Sequence, residues 1–299
     1  MAETATEAVS LTPAVPVLDR PVPVTCEDGV TLAGRLFVPA EGEVQVAIVL
    51  HGATAVPRDY YARFASWLSG WRRAAVLIYD YRDCGHSAQG KARRARASMA
   101  DWMIRDQGAA LEFISRLFPD LPLEAVGHSL GGLGAPFHPA AARLSRLTAV
   151  ASGPAHWSRH PPGFMPKALA FWFLAGPAMT GILGYLPGWV LGQAADLPAP
   201  AYWQWRRWCI TPGFYRRDWG RHLPHPQPER MRGDLRLVAI ADDPMIPPPV
   251  AHDLAQFYPA ARVERLTIGQ GRSIGHLRIF SERCRDLWPL LAGEGQAAA

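Results

Sequence analysis

The nine residues VGHSLGGLG (126–134) set one hydroxyl, Ser129, among four glycines. Glycine is a poor residue inside helices and strands, so four of them directly after an apolar run mark a backbone that must turn tightly. Gly127 and Gly131 flank Ser129 in the spacing G-x-S-x-G, which puts a serine on a strained strand-to-helix turn with its Oγ above the sheet. A side chain at either flanking glycine would collide with nearby backbone. Ser129 is thus a candidate nucleophile, and the N–H of Leu130, opening the helix expected there, faces the place where an oxyanion would form. The alternative is a Gly-rich turn carrying an incidental serine. The stretch fits no phosphate loop, having neither G-K-[ST] nor a helix-opening G-x-G-x-x-G.

A serine hydroxyl needs a general base, and the base needs an acid to orient it. Where the serine sits on such a turn, the partners follow in the order Ser, Asp/Glu, His. Asp242 and Asp243 both come directly after the apolar run RLVAI, and the residues alone leave the choice between them open. Of ten histidines, only His276, in GRSIGHLRIF, lies between the last expected strand and the last expected helix. His252 falls within a helix and His128 is the variable position of the turn. His222 and His225 form H-x-x-H in a Pro-rich loop without further ligands, so no metal is expected. The second oxyanion donor should follow VQVAIVLHG; the N–H of Ala53 is the candidate, with the ring of His51 bracing the loop.

Positioning these groups calls for alternating strands and helices. Hairpin strands meet at Asp28-Gly29. Apolar runs at 44–52, 74–82, 121–129, 146–153, 234–243 and 261–269 read as strands buried on both faces. Helices are expected at 57–69, over 98–118 with Met99, Met103, Ala110, Phe113, Ile114 and Leu117 on one face, and at 248–258 and 279–291. This order predicts an α/β fold with a mostly parallel sheet flanked by helices. The rhythm breaks after residue 153 and resumes near 234. The chain therefore reads as one domain over 21–293 carrying a helical lid inserted at about 155–232, between flexible ends at 1–20 and 294–299.

Of 299 residues, 49% are hydrophobic and 19% charged, which suits a globular chain with a large core. The net charge is only +5, and its one cluster is KARRAR at 91–96. Without interleaved aromatics it does not predict nucleic-acid binding; it is a solvated loop or a contact for an anionic partner. The four cysteines are far apart and form no C-x-x-C, and the N-terminus lacks the pattern of a signal peptide, so a reducing, cytoplasmic location is expected. The charge-free stretch 168–195 approaches membrane-spanning length, but its prolines and glycines count against a transmembrane segment.

HGATAVPRDYYARFASWL, VLIYDYRDCGHS, VGHSLGG, YLPGWVLGQAADLPAPAYWQWRRWC, ADDPMIPP and SIGHLRIF together resemble the α/β-hydrolase superfamily over about residues 22–291. The chain is most similar to a bacterial branch related to the serine aminopeptidase-like and monoglyceride-lipase-like hydrolases. The resemblance implies Ser129, Asp243 and His276 as catalytic triad, Asp243 being preferred because the acid in similar hydrolases lies four residues before a proline, here Pro247. It implies Ala53 and Leu130 as oxyanion donors and no cofactor. It also gives the charge-free stretch a role as lid, with Phe164, Phe171, Trp172, Phe173, Tyr185 and Trp189 either walling a pocket for an apolar acyl substrate or packing the lid onto the body. Two departures stand out: Asp83 where the family usually has glycine, and Pro136, which shortens the helix after Ser129. The function expected is a serine hydrolase of carboxylic esters acting through an acyl-enzyme. Thioesterase, amidase, perhydrolase or acyltransferase chemistry would use the same residues, and a non-catalytic binding protein is the alternative of another class.

Overall fold

The computed structural model describes residues 15–192 and 195–293. Strands β1 (Val17–Thr25) and β2 (Thr31–Pro39) pair as a hairpin through the Asp28-Gly29 turn, where Gly29 has φ 82°. β1 lies at the sheet edge, the one place where Pro21 and Pro23 leave no ladder bond unmade. Its first residues belong to the sheet, so a loosely ordered segment does not reach residue 20 as expected. Residues 1–14 and the tail 294–299 fall outside the described residues.

β3 (Val46–His51), α1 (Ala62–Arg72), β4 (Ala74–Tyr79), α2 (Gln107–Leu117), β5 (Leu123–His128) and β6 (Leu144–Val150) follow in the expected alternation. Then come α3 (Met165–Ala170), α4 (Gly176–Leu183), β7 (Tyr185–Leu186), β8 (Leu197–Pro198) and α5 (Ala199–Ile210). The chain closes with β9 (Asp234–Ile240), α6 (Pro248–His252), β10 (Arg262–Ile268) and α7 (Trp288–Leu291). Eight strands form one sheet in the order β1-β2-β4-β3-β5-β6-β9-β10, antiparallel at the β1–β2–β4 side and parallel from β4 onward.

Alternate residues of the central strands feed two cores. Ala47 and Val49 of β3 join one cluster, while Ile48 and Leu50 join the other, as the period of two requires. α1 buries Phe64, Trp67 and Leu68 against Phe280 and Trp288 on one face of the sheet. On the other, Met99, Met103, Ala110, Leu111 and Ile114 pack beneath α2, which opens in a π-helical turn, Asp101–Asp106, capped by mutual Ser98–Asp101 bonds. Phe113 is partly covered and Leu117 exposed; Leu111 fills the arc expected of them.

Three expected helices are fragmentary. The segment after Ser129 is a chain of short 3-10 turns (Ser129–Gly132, Ala135–Phe137 and Pro139–Arg143) in place of an α-helix, since Pro136 and Pro139 cannot continue the i→i−4 ladder. The stretch 248–258 gives α6 and then a 3-10 turn, and 279–291 is interrupted at Ser281 and Cys284 so that only α7 is α-helical.

Between β6 and β9 the inserted segment runs as a nearly continuous rod through α3, a π-helical turn and α4, ending at Gly184 with φ 78°. It is tied to the body by Gln204 of α5, whose Oε1 accepts the N–H of Ala100 at 2.9 Å while its Nε2 donates to buried Asp218. No helix among the described residues is long and apolar enough to cross a membrane.

Candidate active site

Ser129 follows β5 directly and takes φ 53°, a left-handed conformation uncommon for a residue with a side chain. The flanking glycines make that turn feasible. A Cβ on Gly127 would lie 2.5 Å from the backbone of Gly131 and Gly132, and one on Gly131 would lie 2.1 Å from the carbonyl oxygen of His51. Ser152, beyond β6, donates its hydroxyl to the Ser129 carbonyl and steadies the turn at 2.5 Å.

His276 reaches this serine from the loop after β10, with Nε2 3.0 Å from Ser129 Oγ. Its Nδ1 lies 2.7 Å from Oδ2 of Asp243, in the loop after β9. Asp243 is 2% exposed, and its other oxygen accepts the N–H groups of Met245 and Ile246. Asp242 does not reach the imidazole. Its two carboxylate oxygens accept the N–H groups of Ile274 and Gly275, at 2.9 and 2.8 Å, and so hold the loop that carries His276. The neighbouring carboxylates divide the work: one faces the histidine, the other its backbone.

His128 lies behind the site, its ring centroid 5.3 Å from that of His276. Nε2–H donates to the His276 carbonyl at 2.9 Å, and Nδ1 accepts the Tyr61 hydroxyl at 2.9 Å. Burial, reinforced by the neighbouring imidazole of His276, pushes the His128 pKa down to about 3, so the ring is neutral and this tautomer is self-consistent. Tyr61 in turn accepts the N–H of Ala53 at 2.8 Å. The expected oxyanion donor at Ala53 is thus already engaged. Thr54, the next residue, lines the site beside Ser129. The N–H of Leu130 sits in a 3-10 turn of four residues, so it has no partner within the turn, and no helix dipole stands behind it.

A cavity of about 330 Å³ opens over Ser129 and His276, with walls from Leu130, Leu133, Phe164, Phe171, Trp172 and Trp205. A second cavity of about 330 Å³ meets it there, walled by Ile274, Leu277 and Arg278. Of the aromatic residues expected to line a pocket, Phe164, Phe171 and Trp172 do so. Tyr185 does not, because it pairs with Pro198 in the small β7–β8 ribbon. Trp189 is 71% exposed: in its 3-10 turn Val190 and Leu191 take the inward positions. Phe173 also points outward, under the guanidinium of Arg206.

His160 escaped the sequence, where nothing in RHPPGF sets it apart. Its ring lines the first cavity, and its Nδ1–H donates to the Pro244 carbonyl at 3.1 Å. Burial lowers its pKa, which leaves Nε2 a neutral acceptor. Asp83, the departure from the family's glycine, has φ 59° and uses its carboxylate to accept the N–H groups of Arg96 and Ala97.

Residues 43–188 match the family model described as serine aminopeptidase, S33. Together with the sheet order, this decides the fold. The chain has the α/β-hydrolase fold. Among solved structures, it is similar to a hypothetical protein of Pseudomonas aeruginosa, with 18% identity, a TM-score of 0.56, and 98% of each chain covered. It is also similar to the esterase domain of a Rhodothermus marinus protein (17% identity, TM-score 0.54, 92% of this chain and 97% of that one). An esterase of Pyrococcus furiosus matches at 14% identity with a TM-score of 0.55, over 92% of this chain and 90% of that one. At such identities the likeness is one of fold. No curated protein matches the sequence.

Proposed function

We propose that this protein is a serine hydrolase that cleaves a carboxylic ester with an apolar acyl group. The observation that carries this is the unbroken line from Asp243 through His276 to Ser129, with contacts of 2.7 and 3.0 Å, at the meeting point of two cavities. Ser129 Oγ attacks the acyl carbonyl while His276 Nε2 takes its proton. The ion pair with Asp243 stabilises the imidazolium that forms and fixes the tautomer. His276 then returns the proton to the leaving alkoxide, and water attacks the acyl-enzyme by the same route in reverse. The N–H of Leu130 serves as one oxyanion donor and the Ala53–Thr54 loop supplies the other, Thr54 being favoured because Tyr61 engages Ala53.

The acyl group lies in the first cavity against Phe164, Phe171 and Trp172, and the leaving group in the second. The segment 155–232 acts as a lid on a single domain, since its inner face supplies those aromatics. Two of the similar structures are described as esterases, in keeping with an ester substrate. Four buried free thiols suit a reducing, cytoplasmic setting.

The test is hydrolysis of p-nitrophenyl esters of graded acyl length by the wild type and by Ser129→Ala. Turnover should fall by on the order of 10⁶, to background, in the variant. Activity that survives the substitution would overturn the proposal.

A further inference from the structure

The outer surface of the inserted segment carries large hydrophobic side chains. Of the eight large hydrophobic residues most exposed among the described residues, six lie here: Phe173, Leu174, Ile182, Leu183, Trp189 and Trp203. Leu174 is 70% and Ile182 80% exposed. No charged residue occurs between 168 and 195. A monomer does not ordinarily leave such a face to water.

Beside it sits the one basic cluster of the chain. Lys91, Arg93, Arg94 and Arg96 are all exposed, and among the described residues none of them forms an ion pair with a carboxylate. Their turn is held in place by the Asp83 carboxylate through the N–H groups of Arg96 and Ala97. It abuts the end of α4: a Cβ on Gly184 would lie 3.6 Å from that of Arg93. Ile182 and Leu183 immediately precede that glycine. The basic turn therefore borders the end of the apolar segment at Ile182 and Leu183.

We propose that this face docks on the surface of an anionic lipid bilayer. The apolar residues would enter the acyl boundary, Trp189 would sit at headgroup level, and the basic turn would meet lipid phosphates. Charge decides against a second copy of the chain as occupant. A two-fold contact would bring both copies of this basic turn, eight cations, into one interface. The inner side of the same segment lines the cavity over Ser129. The inference does not depend on the chemistry assigned to Ser129.

Cosedimentation of the full chain with vesicles tests it. Strong binding is expected to vesicles of phosphatidylcholine and phosphatidylglycerol in equal parts, with weak binding to phosphatidylcholine alone. Salt at about 1 M should reduce the former toward the latter. Arg93→Gln and Arg94→Gln should each lower partitioning to the anionic vesicles about fivefold. Leu174→Gln with Ile182→Gln should weaken binding to both vesicle types while leaving ester turnover in solution and the melting temperature unchanged. Binding that is absent, indifferent to anionic lipid, or untouched by both sets of substitutions would overturn the proposal. So would a dimer in lipid-free sedimentation velocity that Leu174→Gln with Ile182→Gln dissociates, since the face would then belong to a second copy.

Discussion

At the scale of single residues, the two adjacent aspartates are the sharpest case, because one peptide bond separates orienting a histidine from holding its loop. Asp243→Asn should lower kcat by roughly 10⁴ by allowing the wrong imidazole tautomer. Asp242→Asn loosens the 274–276 backbone and should cost on the order of tenfold. Steady-state kinetics of the two variants checks this, and equal losses would contradict it. His128 offers a second test, in stability. Its folded pKa of about 3 lies below the unfolded value of 6.5, so the native state binds fewer protons between them. The stabilisation is present above pH 6.5 and is lost as the pH falls toward 3, amounting to about 2 kcal/mol between about pH 7 and 5. His51 and His138, pushed by burial to about 3 and about 4, act in the same direction. Urea melts of His128→Gln should show a shallower loss of stability with acid than the wild type. Apolar runs make visible the strand ends after which Ser129, the Asp242–Asp243 pair and His276 come, while the choice between the two aspartates rests on the family resemblance. The bond from Ala53 to Tyr61 was not, since it joins residues across an irregular turn that has no period to read.

Among the elements, strands proved easier to read than helices. An apolar run of six residues leaves a strand little choice, whereas the helix after Ser129, shortened by Pro136 as its sequence implies, breaks further at Pro139. The turn after β5 works without a helix because glycines, not a helix dipole, fix its shape. Gly131→Ala drives a methyl group into the His51 carbonyl and should cost about 3 kcal/mol. A urea transition shifted to lower concentration with unchanged slope is the expected result. The outward turn of Trp189 was hidden for a similar reason: a 3-10 turn rotates neighbours by a third of a circle, and composition does not tell which of them faces in.

For the molecule as a whole, the inserted segment and the sheet edge together enclose the acyl cavity, which predicts a dependence on substrate length. kcat/KM should rise about fourfold for each added methylene, the worth of burying one, until the cavity of about 330 Å³ is full. A flat profile across the ester series would remove the acyl group from that cavity. The central claim is that loops after β5, β9 and β10 build one reactive serine. Treatment of the intact protein with a fluorophosphonate, followed by peptide mass spectrometry, tests it most directly. The expected result is a single adduct on Ser129 that disappears in His276→Ala; a wild-type protein left unlabelled, or labelled elsewhere, would contradict the account.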